Sequence, residues 1–327
     1  MRAVVMEEFG GPDVLRVRQV DDPAPGPGQV LVAVAYASIT FVETQVRSGE
    51  GPFGRPPLPR VPGNGVGGRI IAVGPEVDPA MVGTVVVTTT GGEGGYAELA
   101  LARAQDVVAV PAVLELEDAV ALLADGRTAL LLHRQAEVRP GQRVLVEAAA
   151  GGVGSLLVQL AAAEGAQVIG AARGAGKAGL VTSLGAAAYV DYSLPGWLDQ
   201  VMEATGGAGV DLVFDGVGGR IGTVAVGALR EGGRVSVYGV ASGVEADLNE
   251  EELRRRSIDV IGLTSAPSPA MTRALIADAL DLAAGGRLRP VIGQTFPLDE
   301  AAAAHRAIEA RATTGKTLLI PSAHVRG

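Results

Sequence analysis

The sequence predicts an α/β chain in two parts, a small, mostly antiparallel β-barrel and a doubly wound parallel sheet, with a tail that rejoins the barrel. Three observations carry this. The first third alternates short strands with Gly/Pro turns. From about Leu116 apolar strands alternate with helical segments, the pattern of a parallel sheet covered on both faces. With 327 residues, 48% of them hydrophobic and 19% charged, the chain can bury two cores.

Taken in order, strands are expected over 3–6, 15–19, 29–35, 68–73, 84–88 and 95–102. Loops are expected at Pro23 to Gly28 and at Gly51 to Pro59, the second long enough to border a binding site. After a helix from Leu116, strands follow over 144–149, 167–172, 188–191, 210–215, 234–239 and 260–263. A helix over 270–284, a strand over 291–296, a helix over 299–312 and a strand over 317–320 complete the tail. No internal repeat is present.

The first strand of the second part runs into Ala148-Ala-Ala-Gly151-Gly152-Val153-Gly154 and then a helix. This is the architecture of a dinucleotide phosphate site. Gly151 and Gly152 let a pyrophosphate approach the backbone, the helix start at Val153 supplies free N–H groups, and Gly154 packs the helix on its strand. The match to G-x-G-x-x-G is imperfect, since Ala149 stands at the first glycine. The plain alternative is a Gly/Ala-rich turn in an ordinary strand–helix unit.

An NAD site would place Asp or Glu at the end of the next strand, Gln167 to Ala172. None is there. The chain offers Arg173, Lys177 and Tyr192, donors suited to the 2′-phosphate of NADP(H). Lys177 and Lys316 are the only lysines among 27 basic residues, so a lysine at this spot favours NADPH. A solvated helix cation is the alternative.

A net charge of −9 disfavours nucleic acid, and the longest basic run, Arg254-Arg255-Arg256, reads as a solvated helix face. Cysteine is absent, which excludes disulfides and thiolate ligands. The acidic start lacks a signal pattern and no stretch reads as a membrane span, so a cytoplasmic location is expected. Heavy use of Ala, Gly and Arg with little Lys suggests a GC-rich bacterial origin.

Several segments together carry a family resemblance: Phe9-Gly-Gly-Pro-Asp-Val-Leu15, Pro27-Gly-Gln-Val-Leu-Val32, Pro140-Gly-Gln-Arg-Val-Leu-Val146, Ala148 to Gly154, Phe214-Asp-Gly-Val-Gly218 and Ala304-His-Arg-Ala-Ile-Glu-Ala-Arg-Ala-Thr-Thr-Gly-Lys316. Over essentially its full length the chain resembles the medium-chain dehydrogenase/reductase superfamily, in its zinc-free quinone oxidoreductase (zeta-crystallin-like) branch. The resemblance implies a GroES-like domain over 1–122 and 266–327 and a Rossmann NADP-binding domain over 123–265.

It further implies that Thr40, Asn64 and Ala124 stand where zinc-dependent relatives carry Cys, His and Cys, so no metal is expected. His133 and His305 read as packing or surface residues. The branch's usual Asn-Phe/Tyr-x-Asp appears here as Thr40-Phe41-Val42-Glu43, and Pro62-Gly63-Asn64-Gly65 lacks the usual acidic residue. Thr40 and Asn64 are candidate hydrogen-bond donors to a substrate oxygen, with strand-end and turn roles as the alternatives. Asp125 and Arg127 are further candidates, Asp125 as orienter of Arg127 or proton relay, with a helix cap or surface ion pair as the alternative. Thr128 resembles the residue contacting the nicotinamide amide. Gly216, Val217, Tyr238, Gly239 and Val240 should flank ribose and nicotinamide, with Leu263 and Thr264 beside the ring.

The expected activity is NADPH-dependent reduction of a quinone or an α,β-unsaturated carbonyl, acceptors that delocalise incoming charge and tolerate weak donors. A carbonyl or tailoring reductase of a natural-product pathway, and a non-enzymatic NADPH-binding structural or regulatory protein, are the other readings. A homodimer through the edge strand Asp259 to Leu263 is expected.

Overall fold

The computed structural model describes residues 1–51, 54–263 and 267–321. The chain divides into two compact units, Met1–Arg127 with Ser268–Gly327, and Thr128–Pro267. The first unit contains β1 (Arg2–Met6), β2 (Leu15–Gln19), β3 (Gln29–Ile39), α1 (Phe41–Ser48), β4 (Gly65–Val73), β5 (Val85–Thr89), β6 (Leu99–Arg103) and β7 (Val108–Ala109). The helix α2 (Leu116–Ala136) contains the division. The second unit contains β8 (Arg143–Glu147), α3 (Gly152–Ala163), β9 (Gln167–Ala172), α4 (Ala178–Ser183), β10 (Ala188–Asp191), α5 (Trp197–Ala204), β11 (Val210–Asp215), α6 (Gly219–Val226), β12 (Leu229–Val237), α7 (Glu250–Arg255) and β13 (Asp259–Gly262). The tail adds α8 (Pro269–Ala284), β14 (Ile292–Pro297), α9 (Ala301–Glu309) and β15 (Lys316–Ile320) to the first unit.

In the first unit a seven-stranded sheet runs β14-β15-β3-β4-β5-β7, with β6 on β3, while β1 and β2 form a separate ribbon. All pairings are antiparallel except β14 with β15. β3 extends to Ile39, past the Ala35 expected from sequence, because its register shifts between Val34 and Tyr36. That shift moves the inward position from even to odd residues. Val30 and Val32 pack in one core with Ile70 and Val86, and farther along the strand Val34, before the shift, and Ala37 and Ile39, after it, pack together in another with Leu298, Ala304 and Leu319.

The second unit is a wholly parallel sheet in the order β10-β9-β8-β11-β12-β13. The order reverses between β8 and β11, the switch point where such sheets bind ligands at their carboxyl ends. All six residues of β11 are buried, as are Val144, Leu145, Val146 and Glu147 of β8, because helices cover both faces. Burying Leu145 alone is worth roughly 2 kcal/mol. β13 is an edge whose Val260 remains 49% exposed.

Several expectations are corrected. The sequence assigns Leu123 to Arg127 to the cofactor-binding part, whereas these residues lie in the first unit. Within α2, Gly126 lies so near Ala279 of α8 that an added Cβ would sit 3.0 Å from its methyl. β12 begins at Leu229 rather than Arg234, since Leu229 already pairs with Val210, and the polar Arg230 to Gly233, which read as a turn, form an unpaired irregularity within β12 before Arg234 pairs with Leu212. Of the Arg254 to Arg256 triplet, only the first two are solvated. Arg256 is half-buried and donates to the Val226 and Leu229 carbonyls. Among the described residues, no helix is long and apolar enough to cross a membrane.

Candidate active site

β8 ends in a turn in which Ala148 is left-handed (φ 48°) and its carbonyl accepts from Gly151 N at 2.7 Å. α3 then starts with Gly151 as N-cap, which has no side chain to occupy the first-turn donors, and no acidic residue follows in that turn. The N–H groups of Gly152 and Val153 thus meet no built-in anion, and the helix end stays positive. At Gly154 an added Cβ would lie 2.2 Å from the Ala148 carbonyl oxygen, so only glycine permits this contact between helix and turn. These features fit a pyrophosphate.

At the end of β9, Arg173 is exposed and Lys177 is half-buried in the short helical turn Ala175–Lys177. Tyr192 is buried. The intervening turn is pinned by Tyr189, whose hydroxyl donates to Gly174 O at 2.6 Å, with Ala172 O at 3.2 Å. Burial, then the neighbouring Asp191 and Tyr192, raises the Tyr189 hydroxyl to about 12. Asp191 was legible only as a strand end, yet it faces Arg173. Burial pushes its carboxyl up, but Ser193 Oγ at 2.6 Å, Ser193 N at 3.0 Å and the Arg173 charge bring it below its ordinary value.

At the carboxyl edge of β11 the Asp215 carboxylate accepts from Val217 N at 2.9 Å and Gly218 N at 2.7 Å. The Val217 carbonyl accepts from Ser242 N at 2.8 Å. Both polar groups of Val217 are therefore engaged, and the residue offers shape rather than hydrogen bonds. Gly216 O accepts from Ala241 N at 3.3 Å, and Tyr238 donates its hydroxyl to Glu147 O at 3.3 Å. Tyr238, Gly239 and Val240 follow the end of β12 at Val237. Leu263 donates its N–H to Val237 O at 3.1 Å and leaves its side chain 43% exposed. Thr264 lies outside the described residues. Sequence reasoning missed Glu147, whose buried carboxyl is pushed well above its usual range by desolvation and then by Asp215.

In the first unit Thr40 is the N-cap of α1 and Glu43 occupies the third position of that helix. Glu43 Oε2 accepts from Thr40 N at 2.6 Å and lies 3.3 Å from Thr40 Oγ1, while Oε1 accepts from Asn64 N at 2.8 Å. One carboxyl thus joins the two candidate donors. Asn64 is exposed, and its Oδ1 accepts from Gly92 N at 2.7 Å, which fixes the amide. Behind Glu43, Tyr96 Oη lies 3.3 Å from Oε2 and 3.1 Å from His305 Nε2. Gly63 (φ +98°) permits this, since an added Cβ would lie 2.4 Å from the Tyr96 ring. His305 is fully buried and hydrogen-bonded, not a surface residue, and burial followed by the Arg47 charge lowers it to about 3.

Asp125 is neither a cap nor a surface ion-pair partner. It lies inside α2, and its carboxylate is 3.2 Å from the ammonium of Lys316 on β15, with both side chains largely buried. Burial lowers the Arg127 guanidinium below its ordinary value, against the pull of Asp125. Thr128 is half-buried at the start of the second unit. Among the described residues no group of three His, Cys, Asp or Glu could hold a metal ion.

A family model for the alcohol dehydrogenase GroES-like domain matches residues 26–112, and one for zinc-binding dehydrogenases matches residues 152–281. A quinone oxidoreductase of Pseudomonas aeruginosa is 36% identical, covering 96% of this chain and 97% of its own. The chain belongs to the medium-chain dehydrogenase/reductase superfamily, in its zinc-free quinone oxidoreductase branch. A 2-haloacrylate reductase of Burkholderia sp. is 35% identical, over 98% of this chain and 99% of its own. The crystal structure of Escherichia coli quinone oxidoreductase complexed with NADPH superposes with a TM-score of 0.89 at 30% identity, covering 98% of this chain and 100% of that one.

Proposed function

We propose that this member of the branch is an NADPH-dependent reductase of quinones and α,β-unsaturated carbonyls. The observation that carries this reading is the pair of neutral donors, Thr40 and Asn64, tied to one carboxyl where zinc-dependent relatives keep their metal ligands. Neutral donors suffice for an acceptor that spreads the arriving charge over a conjugated system. The named activities of the Pseudomonas and Burkholderia relatives, a quinone reduction and the reduction of an activated alkene, support the same class.

When bound, NADPH supplies the hydride. The N–H groups of Gly152 and Val153 would hold its pyrophosphate, Gly151, whose own N–H donates to the Ala148 carbonyl, would leave room for its approach, and Arg173, Lys177 and Tyr192 would hold the 2′-phosphate. Thr128, Gly216, Val217, Tyr238, Gly239, Val240 and Leu263 would shape the ribose and nicotinamide site. Thr40 Oγ1 and Asn64 Nδ2 orient the substrate oxygen. Asp125 and Arg127 set the charge nearby. The exposed edge β13, with Val260, pairs two chains into a homodimer.

Oxidation of NADPH measured against naphthoquinones, enones and simple ketones tests the reading. Turnover confined to quinones and enones supports it. Turnover of ketones alone favours a carbonyl reductase, and tight NADPH binding without turnover of any acceptor favours a non-catalytic role.

A further inference from the structure

We propose that Glu43 is a buried proton reserve that reloads the Thr40 hydroxyl after substrate has taken its proton, with Tyr96 and His305 stabilising the carboxylate left behind. The inference rests on the reductase reading above and extends it to the source of the proton.

The geometry is a chain. Thr40 Oγ1 lies 3.3 Å from Glu43 Oε2, Oε2 lies 3.3 Å from Tyr96 Oη, and Oη lies 3.1 Å from His305 Nε2. His305 Nδ1 is buried without a partner. A bare ring nitrogen is less costly to bury than an N–H lacking an acceptor, so the ring proton belongs on Nε2. His305 then donates to Tyr96, and Tyr96 donates to Glu43. Both donors behind the carboxyl, His305 and Tyr96, therefore point toward it, and the side facing Thr40 is the one open to proton transfer.

A helix-capping role explains only the bond from Thr40 N. It leaves unexplained why a tyrosine and a histidine, 53 and 209 positions apart in their respective contacts, converge behind the cap. The charged and titratable groups around Glu43 are Tyr96 from the segment before β6, Lys316 from β15 held by Asp125, and, beyond Tyr96, His305 of α9 and Arg47 of α1 paired with Glu309. Burial raises the Glu43 carboxyl, and the hydrogen bonds from Thr40 and Asn64 with the Lys316 charge offset only part of this. A carboxyl in that state carries a proton to higher pH than an exposed glutamate.

The step balances. When NADPH is bound, the acceptor takes its hydride and leaves NADP⁺, the hydride forming a C–H bond on an enone to leave an enolate, or an O–H bond on a quinone to leave a quinol anion. Thr40 Oγ1 gives that anion its proton and receives one from Glu43 Oε2. The carboxylate regains a proton from water, so one NADPH and one proton are consumed for each acceptor.

The test compares wild type, Glu43→Gln, Glu43→Asp and Tyr96→Phe in pH profiles of kcat and KM, with infrared titration of the carboxyl in the cofactor-free protein. A wild-type rate that falls as pH rises through the Glu43 ionisation is expected. Glu43→Gln should lower kcat about 100-fold, abolish that limb and leave KM for NADPH unchanged. Glu43→Asp should keep the limb, and Tyr96→Phe, by removing a donor to the carboxylate, should move it to higher pH. In the infrared titration, a protonated carboxyl persisting above the ordinary glutamate range should vanish in Glu43→Gln. Normal turnover with an unchanged limb in Glu43→Gln, or a Glu43 carboxyl that titrates like an exposed glutamate, would overturn the reserve alone. A wild type silent on every acceptor would reject the reductase reading, and the reserve with it.

Discussion

Lys316 and Asp125 form an ion pair at 3.2 Å with side chains 4% and 13% exposed, joining β15 to α2 inside the first unit. Lysine is otherwise used once in the chain, at Lys177. Removing one member strands a buried charge. Lys316→Met is expected to cost about 3 kcal/mol in denaturant unfolding, and Lys316→Met with Asp125→Leu to recover much of that loss. A loss under about 0.5 kcal/mol for the single variant would mean the pair is solvated.

The cations after β9 set cofactor choice. Lys177→Ala and Arg173→Ala should each weaken NADPH binding about 10-fold, the worth of one charge-assisted hydrogen bond, with little change for NADH. Fluorescence titration with both nucleotides measures this. Equal losses for the two would refute the assignment of the 2′-phosphate.

Gly154→Ala tests the turn. Its new methyl would lie 2.2 Å from the Ala148 carbonyl oxygen, so α3 must move away from its strand. NADPH affinity should fall at least 10-fold, with a stability loss of about 2 kcal/mol. Retention of wild-type affinity would show that the turn yields without cost.

His305 makes the first unit acid-sensitive. Its folded value is lowered to about 3 from an ordinary 6.5, so the unfolded chain binds the proton first. The stability contribution is complete above pH 6.5 and is lost as pH falls toward 3. His305→Gln should flatten the dependence of unfolding free energy over that window. An unaltered slope would mean that other groups carry the acid lability.

The sequence disclosed what local physics decides. Gln167–Ala172, Ala188–Asp191 and Val210–Asp215 form strands at the expected bounds, the first because a strand buried on both faces is an uninterrupted apolar run after Gln167, the other two because short β-branched and aromatic runs end at turn residues. The β8–α3 turn was equally legible, since backbone sterics dictate its glycines. The polar chain behind Thr40 was not. Glu43, Tyr96 and His305 come from three separate segments, and each looks locally like a cap, a strand residue or a helix residue. Lys316 likewise reads as a strand end until folding brings Asp125 beside it. β3 overran its expected end because a bulge reversed its alternation, which a period-of-two pattern cannot anticipate.

The bond from Tyr189 to Gly174 has a consequence for redesign. Because the turn bearing Arg173 is clamped before any nucleotide arrives, little ordering entropy is spent when the adenosine end docks. Conversion to NADH preference therefore requires rebuilding β10 and its tyrosine along with the two cations, since a loosened turn would discriminate poorly whichever side chains it displayed.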